Sequence, residues 1–101
     1  MNLQLNYEEF RDNLVWGYPK PHYEGVHYKF KFRNNYGASV FKSIGSLGHE
    51  DDLWELAVRK YENDLDEAGT LCFDTPITDT TMGYQTEEEI LELLRQIREL
   101  W

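Results

Sequence analysis

Residues 26–33 read Val-His-Tyr-Lys-Phe-Lys-Phe-Arg, and this octet limits the fold more than any other segment. Val26, Tyr28, Phe30 and Phe32 alternate with His27, Lys29, Lys31 and Arg33. Side chains on a strand point to opposite faces in turn, so the pattern predicts a half-buried antiparallel strand with one apolar and one basic face. Asn34-Asn35-Tyr36-Gly37 follows, and Asn and Gly tolerate the positive φ of tight turns. A second strand over about residues 38–43 then completes a hairpin. A sheet with one apolar face needs a cover. The C-terminal segment supplies one: Ile90, Leu93, Leu94, Ile97, Leu100 and Trp101 recur at helical spacing. Thr86 is placed to cap that helix, with Glu89 at the capping-box position. Glu87, Glu88 and Glu89 favour the positive end of its dipole, and Arg95 and Arg98 the negative end.

The remaining segments are read around this frame. Residues 53–61 form a third strand with Trp54, Leu56 and Val58 inward and Glu55 and Arg59 outward. A helix also fits Leu53, Leu56, Ala57 and Lys60, but the turn-like stretch 62–69 and the β-rich run 70–74 favour a second hairpin. Pro76 ends the fourth strand, and residues 75–85, with four Thr, one Pro and one Gly, read as a loop. Upstream, Asn6 and Glu9 stand in capping-box positions, and Tyr7, Phe10, Leu14 and Val15 extend a short helix that Gly17 ends. The two prolines within residues 18–25 argue for an extended loop rather than a regular element. The expected fold is α+β, in one domain over residues 1–101. It has a four-stranded antiparallel sheet of two hairpins, a short N-terminal helix and a C-terminal amphipathic helix packed on one face. A chain of 101 residues matches the size of a single domain.

Little in the chain suggests catalysis. His22, His27 and His49 have no nucleophile motif around them. Cys72 alternates with Leu71 and Phe73, which points it outward or toward an edge as an inert thiol. One Cys and three scattered His do not make a zinc site. Asp64-x-Asp66 resembles the start of a calcium loop, but Thr75 stands where a bidentate Glu is needed. Gly45-Ser46-Leu47-Gly48 lacks the Lys-Ser/Thr of a phosphate loop. The expectation is a protein that is not an enzyme and takes no cofactor and no metal. A single cysteine permits no intrachain disulfide. With no long apolar run and no basic, apolar leader, a cytoplasmic location without membrane association is expected.

Charge is the more informative feature. The net charge is −9. Residues 1–49 hold four acids and six bases, whereas residues 50–101 hold fifteen acids and four bases. Such a half repels nucleic acid and attracts a basic protein surface; solubility alone would also account for it. The candidate partner-binding acids are Glu50, Asp51, Asp52, Glu62, Asp64, Asp66, Glu67, Glu87 and Glu88. Tyr18 and Tyr23, in the proline-bearing segment beside Trp16, are candidate contact residues, since Tyr and Trp are enriched in binding hot spots. Alternatively, Trp16 and Tyr18 plug the end of the core. A competing functional reading uses the outer hairpin face, where His27, Lys29, Lys31 and Arg33, joined by Lys42, would bind nucleic acid.

The runs Tyr36-Gly37-Ala38-Ser39-Val40, Asp52-Leu53-Trp54-Glu55-Leu56-Ala57-Val58 and Leu71-Cys72-Phe73-Asp74-Thr75-Pro76-Ile77-Thr78 resemble small uncharacterised proteins of bacteriophages and prophages. The resemblance spans about residues 26–100 and transfers no catalytic residue. It implies the cytoplasm of an infected bacterium. By class, it implies an acidic inhibitor that mimics nucleic acid and blocks a host protein with a basic groove, such as a CRISPR effector.

Overall fold

The computed structural model describes residues 4–20, 25–43, 46, 48–66, 69–72, 75–77 and 82–100, with residues 16–20 described by their backbone. The chain runs through a 3-10 helix (Glu8–Asn13), β1 (Leu14–Lys20), β2 (Gly25–Lys31), β3 (Tyr36–Lys42), a 3-10 turn (His49–Asp51), β4 (Trp54–Lys60), β5 (Thr70–Leu71), β6 (Met82–Gln85) and α1 (Glu87–Arg98). All pairings are antiparallel, in the order β1-β2-β3-β4-β5, with β6 also paired to β4. The α+β class is as expected, and the sheet has six strands rather than four.

Both additional strands have a physical reason. β1 occupies residues assigned to the N-terminal helix and to the proline loop. It lies at the sheet edge and, among the described residues, pairs with β2 alone, so the missing donor of Pro19 is tolerated there. The N-terminal helix is correspondingly shorter, and its expected capping box does not form. Its cap position is Tyr7, with no side-chain cap. Glu9 instead binds Arg95 and Arg98, and the Asn6 N–H donates to Glu87 Oε2 at 3.1 Å. At the other edge, β5 and β6 share the free side of β4. Lys60 and Arg59 face Thr70 and Leu71, the Cys72 N–H reaches Val58 O at 2.9 Å, and Leu56 and Trp54 face Met82 and Gln85. Tertiary pairing overrides the expected loop at residues 82–85, while residues 75–77 lie outside any strand as expected.

The alternation of 26–33 places its apolar members inward as expected: Val26, Tyr28, Phe30 and Phe32 are buried. Ala38 and Val40 of β3 and Trp54, Leu56 and Val58 of β4 join them. Two segments cover this face. α1 contributes Ile90, Leu93, Leu94 and Ile97, and its capping box of Thr86 and Glu89 forms as read. The N-terminal segment contributes Leu5 and Phe10. The Phe10 ring meets Phe30 and Phe32 edge-on at 6.2 and 5.9 Å, with the Arg98 guanidinium 5.0 Å above it. The C-terminal end of α1 is closed by Asn34 of the β2–β3 turn, whose side-chain amide donates to Ile97 O at 2.9 Å and Leu100 O at 2.8 Å. Cys72 is buried in this core, against the outward placement expected. Leu71 is the exposed member of the pair, so the alternation runs in the opposite phase.

The opposite sheet face is partly roofed too. Tyr61 leaves the end of β4 and lies almost wholly buried, its hydroxyl donating to Phe30 O at 3.1 Å. Burial pushes its pKa up to about 12. Gly37 makes room for the ring, since a Cβ there would come within 2.9 Å of Tyr61 Cε2 and 1.9 Å of Phe30 O. Lys31 Nζ sits 5.0 Å over the same ring.

Two outcomes test this packing. Trp54 is 3% exposed, and Trp54→Ala should lower unfolding free energy in urea by about 3–5 kcal/mol. A variant that unfolds like the wild type would remove Trp54 from the core. The second concerns Glu9, whose carboxyl is held below its ordinary value of 4.5 mainly by the hydrogen bonds from Arg95 and then by Arg98. A carboxyl with a depressed folded-state pKa stabilises the fold above its unfolded pKa and loses that contribution as pH falls through the folded value. Glu9→Gln should therefore be less stable than the wild type at neutral pH, and the difference should close as pH drops below about 4.5.

Candidate interaction surface

The acidic half becomes two clusters once folded. Glu50, Asp51 and Asp52 precede β4, while Glu62, Asp64 and Asp66 follow it. Seven extended residues separate them, about 20 Å along the strand. α1 begins directly after β6, whose last residue, Gln85, pairs with Trp54. Glu87 and Glu88 therefore lie at the Glu50 end of the sheet. The structure brings five candidates to one end and three to the other. Glu67 and Tyr23 lie outside the described residues. Tyr18 is a β1 residue opposite His27, not a loop residue, and its side chain is outside the description.

Several of these acids already have intramolecular work. Asp52 adopts a φ of +60° and its Oδ1 binds Lys42 Nζ at 3.0 Å. The Lys42 side chain is 2% exposed and its ammonium lies 4.4 Å from the centre of the Trp54 ring. This corrects the placement of Lys42 on the basic outer face. It pairs with Val26 and shares the inward parity of Ala38 and Val40. Asp52 supplies a counter-charge that a buried ammonium requires. At the other end, Asp66 builds its turn: Oδ2 accepts from the Glu62 N–H and Oδ1 from the Gly69 N–H, both at 3.0 Å. Asn63 Oδ1 accepts from the N–H groups of Leu65 and Asp66. Lys31 Nζ donates to the carbonyls of Asn63, at 2.8 Å, and Asp66. The resemblance to a calcium loop thus reduces to a turn held by its own side chains.

The same contacts alter the basic face. Lys31 is engaged by the 62–66 turn, and Lys42 belongs to the core face rather than to the expected basic row. Arg59 donates to Ser39 Oγ across the neighbouring strands. Among the described residues no three His, Cys, Asp or Glu side chains are grouped as a metal ion would need. No helix there is long and apolar enough to cross a membrane.

Two exposed side chains that the sequence reading passed over accompany the acids. Leu65 is 91% exposed between Asp64 and Asp66, and Tyr84 is 58% exposed two residues before the cap of α1. Their signal in the sequence was slight, because a lone apolar residue in a polar loop has no periodicity to set its exposure. Comparison with protein-family models, with curated proteins and with solved structures finds no match for this chain.

The Lys42–Asp52 pair gives a measurable outcome. Asp52→Asn keeps a residue suited to positive φ but leaves the buried ammonium without its carboxylate. Stability in urea should fall by about 1–3 kcal/mol. Adding Lys42→Met should recover part of that loss, because a packed apolar chain replaces an ion pair at little net cost. A neutral Asp52→Asn would show that the pair does not hold this end of the sheet.

Proposed function

We propose that the protein is a non-enzymatic acidic binding module whose partner is a protein with a basic surface, of the kind that ordinarily holds nucleic acid. The observation that carries this reading is the segregation of charge. The second half bears fifteen acids against four bases, and among the described residues several of its exposed carboxylates lie at the two ends of β4. Glu50, Asp51, Glu62, Asp64 and Glu88 are all exposed. Two acidic ends about 20 Å apart suit a groove that contacts each separately, rather than one continuous phosphate-like band. The phage-type inhibitor acting in a bacterial cytoplasm extends this reading by resemblance. The competing nucleic-acid reading is weakened by the engagement of Lys31 and the burial of Lys42.

The test compares the wild type with Glu50→Lys/Asp51→Lys/Asp64→Lys, which spares the structural Asp52 and Asp66. Affinity capture from a bacterial lysate should recover basic nucleic-acid-handling proteins with the wild type and lose them with the variant. Raising salt from about 0.1 to 1 M shortens the Debye length from about 10 to 3 Å and should release them. The protein alone should not retard DNA or RNA in a gel. A shift abolished by Lys29→Glu/Arg33→Glu would replace this reading with nucleic-acid binding through the hairpin face.

A further inference from the structure

β6 carries an irregularity that the rest of the sheet does not require. Between Leu56↔Met82 and Trp54↔Gln85, β4 advances two residues while β6 advances three. The additional residue makes a bulge, and Tyr84 within it has a φ of +58°. A left-handed backbone is unfavourable for an aromatic residue and common for Gly or Asn. Bulges re-aim side chains, and here the result is a Tyr that is 58% exposed. The backbone of Gly48 packs against the same point. A Cβ on Gly48, whose φ is +97°, would lie 2.9 Å from the N and Cα of Tyr84. The Gly48 carbonyl accepts from the Asp51 and Leu53 N–H groups at 3.0 and 2.9 Å, which fixes the turn bearing Glu50 and Asp51 beside Tyr84. Thr86 then caps α1, which puts Glu88 in its first turn, four residues after Tyr84.

We infer that Tyr84 is an aromatic seat for an arginine side chain of a basic protein segment. This deepens the proposed function and rests on it. A guanidinium stacks on an aromatic face while its N–H groups bind carboxylates, whereas an ammonium is a compact, strongly hydrated point charge. An exposed ring at the end of the sheet that also carries Glu50, Asp51 and Glu88 matches the first chemistry in kind and sign. Leu65, also exposed, has acidic neighbours but no ring, so it lacks this selectivity.

The probes are an octa-arginine and an octa-lysine peptide, titrated at low salt with amide resonances followed by NMR. The variant Tyr84→Gly removes the ring and suits the positive φ, so the fold is kept or made more stable. Wild type should bind octa-arginine more tightly than octa-lysine, with shifts centred on residues 48–51 and 84–88. Tyr84→Gly should lose about three- to fivefold in octa-arginine affinity, the scale of one exposed cation–π contact, and lose the preference. Tyr84→Phe should retain both. Equal affinities for the two peptides, an unaffected Tyr84→Gly, or shifts centred on residues 62–66 would overturn the inference while leaving the acidic-module reading in place. Failure of both peptides to bind would overturn both.

Discussion

The apolar face formed by β2, β3 and β4 has to be kept from water by two segments from opposite ends of the chain. Neither is sufficient alone: α1 brings Ile90, Leu93, Leu94 and Ile97, and the N-terminal segment brings Leu5 and Phe10. Their joint seating is secured by Glu9, which binds the guanidinium of Arg95 at 2.8 Å and that of Arg98 at 3.0 Å. Exposed ion pairs contribute little individually. This carboxylate serves two arginines at once and sits beside buried Phe10, so its value lies in fixing where the segment docks. Asn34 secures the other end of α1 from the hairpin turn. The helix is thus fixed by contacts from residues far away in sequence.

The same economy operates on the charged groups. Lys31, Lys42, Asp52 and Asp66 each look like surface charges in the sequence, and each is used to hold a loop against the sheet. Their engagement separates structural charge from available charge. Glu50, Asp51, Asp64 and Glu88 are left facing solvent, near Leu65 or Tyr84. A surface built this way is ordered in the free protein, which would reduce the entropy lost in the proposed association.

Much of the architecture was legible from local pattern. The alternation of residues 26–33, the Asn-rich turn, the strand over residues 53–61 and the capping box of α1 were all readable, because each depends on neighbours within a few residues. β1 and β6 were not, since Pro19, Gly17 and the Thr-rich run argue against strands locally. Their formation depends on the unsatisfied edges of β2 and β4. Tyr84 and Leu65 were missed for a related reason: the exposure of a lone apolar side chain depends on what packs over it, which local sequence does not encode.

The sequence by itself determined the α+β class, the apolar stripe of α1 and the concentration of acid in the second half, because periodicity and composition are properties of the chain alone. Only the tertiary structure decided that Lys42 lies beneath Trp54 with Asp52 as counter-ion, and that the acids divide between the two ends of β4. It also decided that a bulge turns Tyr84 outward. Those outcomes depend on strand register, since a shift of one residue moves a side chain to the other face of the sheet. Register is settled only when distant segments pair.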